Sequence, residues 1–179
     1  QQAVDCGVEM ISVTVGWQEA PESSFGRDAQ PGYWNYLSAK AKKMFPNVLV
    51  AFGNRLPDPA MPDECIRDGV FDYWEVCRPL LADPELIHKA AEDRMEEVRP
   101  CIGSLNCLSR LFRDLPYTCT MNPMLGHEFE PEYHITPAAE PKRIMIVGAG
   151  PAGMEAAITA RQRGHAAIGQ ERACLRLQG

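Results

Sequence analysis

The chain has 179 residues, of which 45% are hydrophobic and 23% are charged, and its net charge is −6. This composition supports a buried core, and the absence of a basic run argues against a nucleic-acid partner. No run of about 18 apolar residues is present, and the start, QQAVDCGVEM, lacks a signal-peptide pattern, so we expect a cytoplasmic protein without a membrane span.

Strands and helices alternate over the first 94 residues. Apolar, β-branched runs predict buried strands, and apolar residues at helical spacing predict helices. The predicted elements are, in chain order, a strand at 8–16, a helix at 33–45, a strand at 47–53, a helix at 58–68, a strand at 71–76 and a helix at 83–94 with Asp83 as N-cap. This order is typical of parallel βα units and predicts an α/β fold.

Polar and thiol side chains follow the predicted strands. In parallel βα folds, functional groups lie at the carboxyl ends of strands. Here those ends carry Gln18, Arg55, and Cys77 with Arg78. Two arginines at successive strand ends could clamp a phosphate through paired hydrogen bonds. The alternative is a pair of surface arginines with carboxylate partners.

The proline-rich stretch 100–142 has little periodicity and predicts a loop-rich linker. It contains three of the seven cysteines, Cys101 and Cys107 in CIGSLNC and then Cys119. An odd cysteine count without a secretory signal favours reduced thiols, some of them ligands. Ser104 stands where a fourth thiolate of an iron–sulfur loop would be. It could ligate iron through oxygen, stay unbound beside a three-iron cluster, or belong to a site without a cluster. A zinc site completed by His127 or His134 is a lesser alternative.

A glycine motif opens the last segment. Gly148, Gly150 and Gly153 form GxGxxG directly after an apolar strand and before a helix, which favours a dinucleotide site over an unliganded turn. The helix N-terminus would face a pyrophosphate, and Glu171 could accept hydrogen bonds from ribose hydroxyls. The segment AAIGQ between His165 and Glu171 has few residues that favour strands, so we expect the second strand of this last segment to be weak.

Six short segments resemble those of one protein family in their order and spacing. They are, in chain order, VGWQEA, GNRLPDP, CRPLLADPEL, RPCIGxxxC, CTMNP and VGAGPAG. The family comprises the flavin oxidoreductases that join an old yellow enzyme-like barrel to iron–sulfur and FAD domains, such as 2,4-dienoyl-CoA reductases, enoate reductases and trimethylamine dehydrogenase. The resemblance implies the last βα units of an FMN-binding TIM barrel at 1–99. It further implies an iron–sulfur loop and linker at 100–142 and the truncated start of a Rossmann-like FAD/NAD(P)-binding domain at 143–179.

The resemblance also implies cofactors and their sites, with NAD(P)H as electron donor. The implied contacts are Arg55, Cys77 and Arg78 to FMN; Cys101, Cys107 and Cys119 to a [4Fe–4S] or [3Fe–4S] cluster; and Gly148, Gly150, Gly153 and Glu171 to FAD. Gln18 stands where dienoyl-CoA reductases have an active-site histidine. A glutamine can orient a carbonyl but cannot donate a proton at neutral pH.

Three functions remain open at this point. The first is reduction of an activated C=C bond, as in an enoyl thioester, with NAD(P)H. The second is oxidation of a small methylated amine, which the two-residue spacing between Ser104 and Cys107 favours. The third is an inert, truncated chain whose exposed barrel edges could self-associate.

Overall fold

The computed structural model describes residues 2–16 and 26–170. The chain divides into two compact units, Gln1–Gly126 and His127–Gly179. The three domains expected from the sequence stay a prediction. Within the described ranges, no helix has the length and apolar character that crossing a membrane requires.

Strands and helices alternate in the first unit, but most elements are shorter than the sequence predicts. Their bounds in chain order are α1 (Gln2–Asp5), β1 (Met10–Ser12), α2 (Asn35–Met44), β2 (Leu49–Phe52), α3 (Ala60–Arg67), β3 (Tyr73–Trp74), α4 (Arg78–Ala82), α5 (Leu86–Ala91), a 3₁₀ turn (Met95–Glu97) and α6 (Asn106–Leu111). The prediction missed the short helices α1, α4 and α6. The last of these lies inside the segment expected to be a loop.

The three strands form a parallel sheet in the order β1-β2-β3, so the predicted parallel arrangement is confirmed. Met10 pairs with Leu49, and Phe52 pairs with Trp74. The central strand β2 is the apolar run of the sequence, and Val50 and Phe52 are fully buried within it. Ala51 lies on the opposite face and is 3% exposed, so both faces of β2 are buried, as expected for a central parallel strand.

The third strand is short because Asp72 takes over part of its hydrogen bonding. The Asp72 carboxylate accepts the N–H of Val50 at 2.7 Å and pairs with Lys42 at 2.8 Å. The hydrogen bond from Lys42 is the main cause that lowers the pKa of Asp72. Just after β3, Glu75 still donates its N–H to the carbonyl oxygen of Phe52 at 2.9 Å. The segments that contain β2 and β3 therefore stay adjacent up to the carboxyl edge of the sheet.

The helix predicted at 83–94 is replaced by the shorter α5, which begins at Leu86. The Asp83 carboxylate accepts the N–H of Glu85 at 3.0 Å and thereby closes the turn before α5. Asp83 therefore caps the preceding turn rather than the helix itself.

Asp83 is an anchor between α5 and the segment that leads to Cys101. Its second oxygen accepts hydrogen bonds from Lys89 Nζ at 2.7 Å and from the N–H of Arg99 at 2.9 Å, and the residue is only 3% exposed. Burial acts to raise the pKa of Asp83, but the bonds from Lys89, Arg99 and Glu85 outweigh it, and the pKa lies below its ordinary value.

The second unit contains a 3₁₀ turn (Pro131–Tyr133), β4 (Arg143–Val147), α7 (Pro151–Gln162) and β5 (Ala166–Gln170). The strands β4 and β5 pair in parallel along their whole length, from Arg143 with Ala166 to Val147 with Gln170. The expectation that AAIGQ forms a weak strand is therefore wrong. A full hydrogen-bonded ladder with β4 overrides the low β-propensity of Ala and Gly.

Candidate functional site

The residues predicted at two strand ends line one cavity of about 260 Å³ in the first unit. Arg55 follows β2, and Cys77 with Arg78 stands at the start of α4. Gly53, Glu75 and Cys101 also line it. We call Gly53 and Glu75 the floor of this cavity, and we call Arg78 and Cys101 its wall. The parallel sheet thus brings the two arginines, which are 23 residues apart in sequence, to one concave surface.

Arg55 is held in an uncommon backbone conformation. Its φ is 51°, in the left-handed region that costs a non-glycine residue about 1–2 kcal/mol. Its carbonyl accepts the N–H of Gly32 at 3.0 Å, and its Nε donates to the carbonyl oxygen of Ala29 at 3.1 Å. Backbone strain held by surrounding contacts is frequent at binding sites.

The three predicted cluster cysteines line a second pocket of the first unit. Cys101, Cys107 and Cys119 surround it together with Ser104 and Thr120. The six cysteines of the described ranges form no disulfide. The Cys119 sulfur accepts the N–H of Met121 at 3.4 Å, an orientation that suits a thiolate ligand.

Two side-chain bonds join the two halves of this pocket. Ser104 Oγ and Thr120 Oγ1 share a hydrogen bond of 3.0 Å, and Asn106 Nδ2 donates to Thr118 Oγ1 at 2.9 Å. The threonines gave no sequence signal except their position on either side of Cys119.

Gly103 brings the thiol pocket against the arginine cavity. Its φ is 64°, and a Cβ at this position would lie 2.9 Å from Arg27 Cγ and 3.7 Å from Arg55 Nη1. The pocket and the cavity also have two lining residues in common, Arg78 and Cys101. The two sites therefore form one continuous region of the first unit.

Across residues 2–16 and 26–170, no three His, Cys, Asp or Glu side chains are grouped closely enough to hold a single metal ion. The zinc alternative, with His127 or His134 as a ligand, therefore gains no support. An iron–sulfur cluster makes a different demand, since each cysteine binds a separate iron atom and the sulfurs stand farther apart.

The glycine motif forms the turn between β4 and α7. Gly148 has a φ of 109°, and Gly150 is the N-cap of α7 with open space where a Cβ would be. A Cβ on Gly153 would overlap the carbonyl oxygen of Gly148 and lie 3.4 Å from Ile146 Cγ2. One glycine thus makes the turn, one leaves the helix N-terminus open, and one lets helix and strand approach.

We expect Gly153→Ala to destabilise the second unit by about 1–3 kcal/mol, because the added methyl group meets backbone that cannot yield. Gly150→Ala is the matched control, and it should leave stability nearly unchanged. Hydrogen exchange of the β4 amides in both variants measures the difference. Equal protection in the two variants would contradict the close packing at Gly153.

Two of the predicted site residues, Gln18 and Glu171, lie outside the described residues. Their roles stay predictions. Asp83 was expected only to cap a helix, and its bond to the N–H of Arg99 gave no sequence signal, because partners 16 residues apart show no periodicity.

The sequence was also compared with known proteins. The chain is 37% identical to a metal reductase of Desulforamulus reducens over 160 residues, 89% of this chain and 24% of that protein. An NADH oxidase of Thermoanaerobacter brockii is 36% identical over 92% of this chain and 25% of the enzyme. The solved structure of 2-naphthoyl-CoA reductase with 2-naphthoyl-CoA superimposes with a TM-score of 0.83, at 38% identity over 87% of this chain and 24% of that chain.

Further relatives are a cinnamate reductase of Clostridium sporogenes, 39% identical over 66% of this chain and 18% of that protein, and a dimethylamine dehydrogenase of Hyphomicrobium, 37% identical over 80% and 21%. No family model matches the sequence. The chain spans about a quarter of the length of the first relatives named above. Within that span, the chain belongs to the old yellow enzyme-like flavin and iron–sulfur oxidoreductases.

Proposed function

We propose that the first unit supplies the flavin-phosphate end and the cluster loop of an enzyme that reduces an activated C=C bond, such as that of an enoyl thioester, with NAD(P)H. In this proposal the unit corresponds to the last βα units of a TIM barrel. The observation that carries the proposal is that Arg78 and Cys101 line both the arginine cavity and the thiol pocket. Two redox groups held on the two sides of these residues would be neighbours.

The arginine cavity fits the phosphate of FMN. Arg55 and Arg78 bring two cationic groups to one cavity, and guanidinium groups bind phosphate oxygens through charge-assisted hydrogen bonds. Bound FMN would supply hydride and single-electron chemistry.

The thiol pocket fits an iron–sulfur cluster by its donor set. Three cysteines from two segments of chain line it, and thiolate is the ligand that cluster iron prefers. The Asp83 anchor fixes the segment that enters the pocket, because it holds the N–H of Arg99 two residues before Cys101. The role of this chain in electron transfer would be to hold the thiolates at a fixed place beside the cavity.

The turn in the second unit fits a dinucleotide. Gly150 leaves open space at the N-terminus of a 12-residue helix, where backbone N–H groups can bind a pyrophosphate. This geometry supports FAD as the second flavin and entry point for electrons from NAD(P)H.

A second candidate function is oxidation of a small methylated amine. It is favoured by the two-residue spacing between Ser104 and Cys107 and by the similarity to dimethylamine dehydrogenase. Reduction is preferred because the 2-naphthoyl-CoA reductase and the cinnamate reductase show comparable or higher identity to this chain.

The phosphate assignment predicts that the chain binds FMN more tightly than riboflavin, which lacks the phosphate. Arg55→Gln and Arg78→Gln should each weaken FMN binding about tenfold or more, the equivalent of one charge-assisted hydrogen bond, and leave riboflavin binding unchanged. Quenching of flavin fluorescence measures both affinities. Arg67→Gln, an exposed arginine paired with Asp63, is the control and should change neither. Equal affinity for the two flavins would refute the phosphate site.

The direction of the reaction is tested on the flavin-loaded chain under anaerobic conditions. Bleaching of the flavin by NAD(P)H and its recovery with an enoyl thioester would support the reductase. Bleaching by dimethylamine would support the second candidate. If neither bleaches a chain that holds flavin and iron, both activities are refuted for this chain and the inert alternative stands.

A further inference from the structure

Three of the four ligand positions in the thiol pocket carry sulfur, and the fourth carries a hydroxyl. Cys101, Cys107 and Cys119 are partly buried, whereas Ser104 and Thr120 are exposed. The hydroxyl-bearing corner of the pocket is thus the one that faces solvent. Any iron atom near this corner lies within reach of small molecules.

The Ser104 hydroxyl already has a partner inside the pocket. It shares a 3.0 Å hydrogen bond with Thr120 Oγ1, and the nearby bond between Asn106 and Thr118 holds the two segments at this separation. To bind iron, the serine would have to lose its proton and give up this bond. The resulting alkoxide is a harder and more basic ligand than the thiolate that cluster iron prefers.

We propose that the pocket binds an iron–sulfur cluster through three protein thiolates only. Ser104 stays outside the iron coordination, and the iron at the solvent-facing corner takes an exogenous small thiol or hydroxide instead. This inference rests on the cluster assignment made above. The inference gives the cluster, whose proposed role is electron transfer, one iron atom with an exchangeable ligand.

The test compares the wild-type chain with Ser104→Ala and Ser104→Cys after anaerobic reconstitution with iron and sulfide. Treatment with ferricyanide, a one-electron oxidant, should release one iron per cluster from wild type and from Ser104→Ala and give both a three-iron EPR signal. Ser104→Cys should keep all its iron, because a fourth thiolate closes the corner. Cys6→Ser, which removes an exposed thiol outside the pocket, should behave like wild type.

A second readout tests the open corner directly. Adding 2-mercaptoethanol to the dithionite-reduced chain should shift the EPR signal of wild type and of Ser104→Ala and leave that of Ser104→Cys unchanged. A wild-type signal that differs from Ser104→Ala before any addition would identify Ser104 as an iron ligand and overturn the inference. So would an absence of any thiol-dependent shift.

The two proposals fail in different ways. If neither wild type nor Ser104→Cys incorporates iron while both remain folded, the cluster assignment fails and the inference fails with it. If all variants hold the same stable four-iron cluster, the assignment stands and the open corner alone is refuted. Iron and sulfide content, measured beside the circular dichroism of each variant, separates these outcomes.

Discussion

Replacing Gly53 with alanine should cost the first unit close to 3 kcal/mol of stability, the upper part of the range that overpacking usually costs. The added Cβ would overlap the backbone carbonyl of Glu75, and its 2.9 Å neighbour would be Glu75 Cβ. Neither group can rotate away, because the N–H of Glu75 is bonded to the carbonyl of Phe52. The chains that follow β2 and β3 would have to separate.

That separation occurs at the floor of the arginine cavity, so binding should fall together with stability. Urea denaturation followed by circular dichroism measures the loss as a lower midpoint with an unchanged slope. Gly169→Ala is the matched control, since it adds the same methyl group to a strand glycine with nothing within 4 Å. A Gly53→Ala chain as stable as wild type would show that the strands are not in contact there.

The second large effect is expected for Asp83→Asn, on the order of 3 kcal/mol, because the change removes the buried negative charge that pairs with Lys89. The Lys89 ammonium would keep only the carbonyl oxygen of Glu97 as a partner. The carboxylate also accepts the N–H groups of Glu85 and Arg99. An amide cannot satisfy all three donors, since one of its two polar atoms is itself a donor. Asp63→Asn, which alters an exposed pair with Arg67, is the control and should change stability little.

The pH dependence of stability provides an independent check on Asp83. Its pKa in the folded chain lies below the ordinary aspartate value of about 3.9. The stabilisation is therefore complete above that ordinary value and is lost as the pH falls through the lower folded value. Wild type should lose stability in acid more steeply than Asp83→Asn, and the two urea midpoints should converge. A constant difference down to the lowest pH would exclude the charged carboxylate as the cause.

Asp83→Asn should also affect the thiol pocket, because the carboxylate holds the chain two residues before Cys101. We expect less iron per chain after reconstitution, even under conditions in which the variant remains folded. Full iron content in a folded Asp83→Asn chain would limit the role of this residue to stability.

The sequence predicted those parts of the fold that depend on local pattern. The apolar run of β2 and the strand–glycine–helix order of the second unit were both visible as periodicity and composition. The length of β3 was not predictable from such a pattern. The Asp72 side chain, rather than a backbone carbonyl of β3, accepts the N–H of Val50, and a side-chain bond of this kind leaves no mark on the apolar pattern of a strand. The strand β5 was misjudged for the converse reason, since its stability comes from pairing with β4 rather than from its own residues.

The candidate site was predictable as a set of residue types and not as an arrangement. Spacing identified the three cysteines and the two arginines. The joining of the two groups involves Gly103, whose left-handed backbone and missing side chain let the loop lie against Arg27, with Arg55 Nη1 3.7 Å from the place of a Cβ. A single glycine gives no periodic signal, so this contact required the structure.

The wall formed by Arg78 and Cys101 has a thermodynamic consequence. If a ligand in the cavity orders this wall, a ligand in the pocket loses less entropy on binding. Linkage makes that coupling reciprocal, so the occupant of the pocket must raise affinity in the cavity by the same factor. Loading of the two sites would then be cooperative, and chains carrying one group without the other would be under-represented at equilibrium.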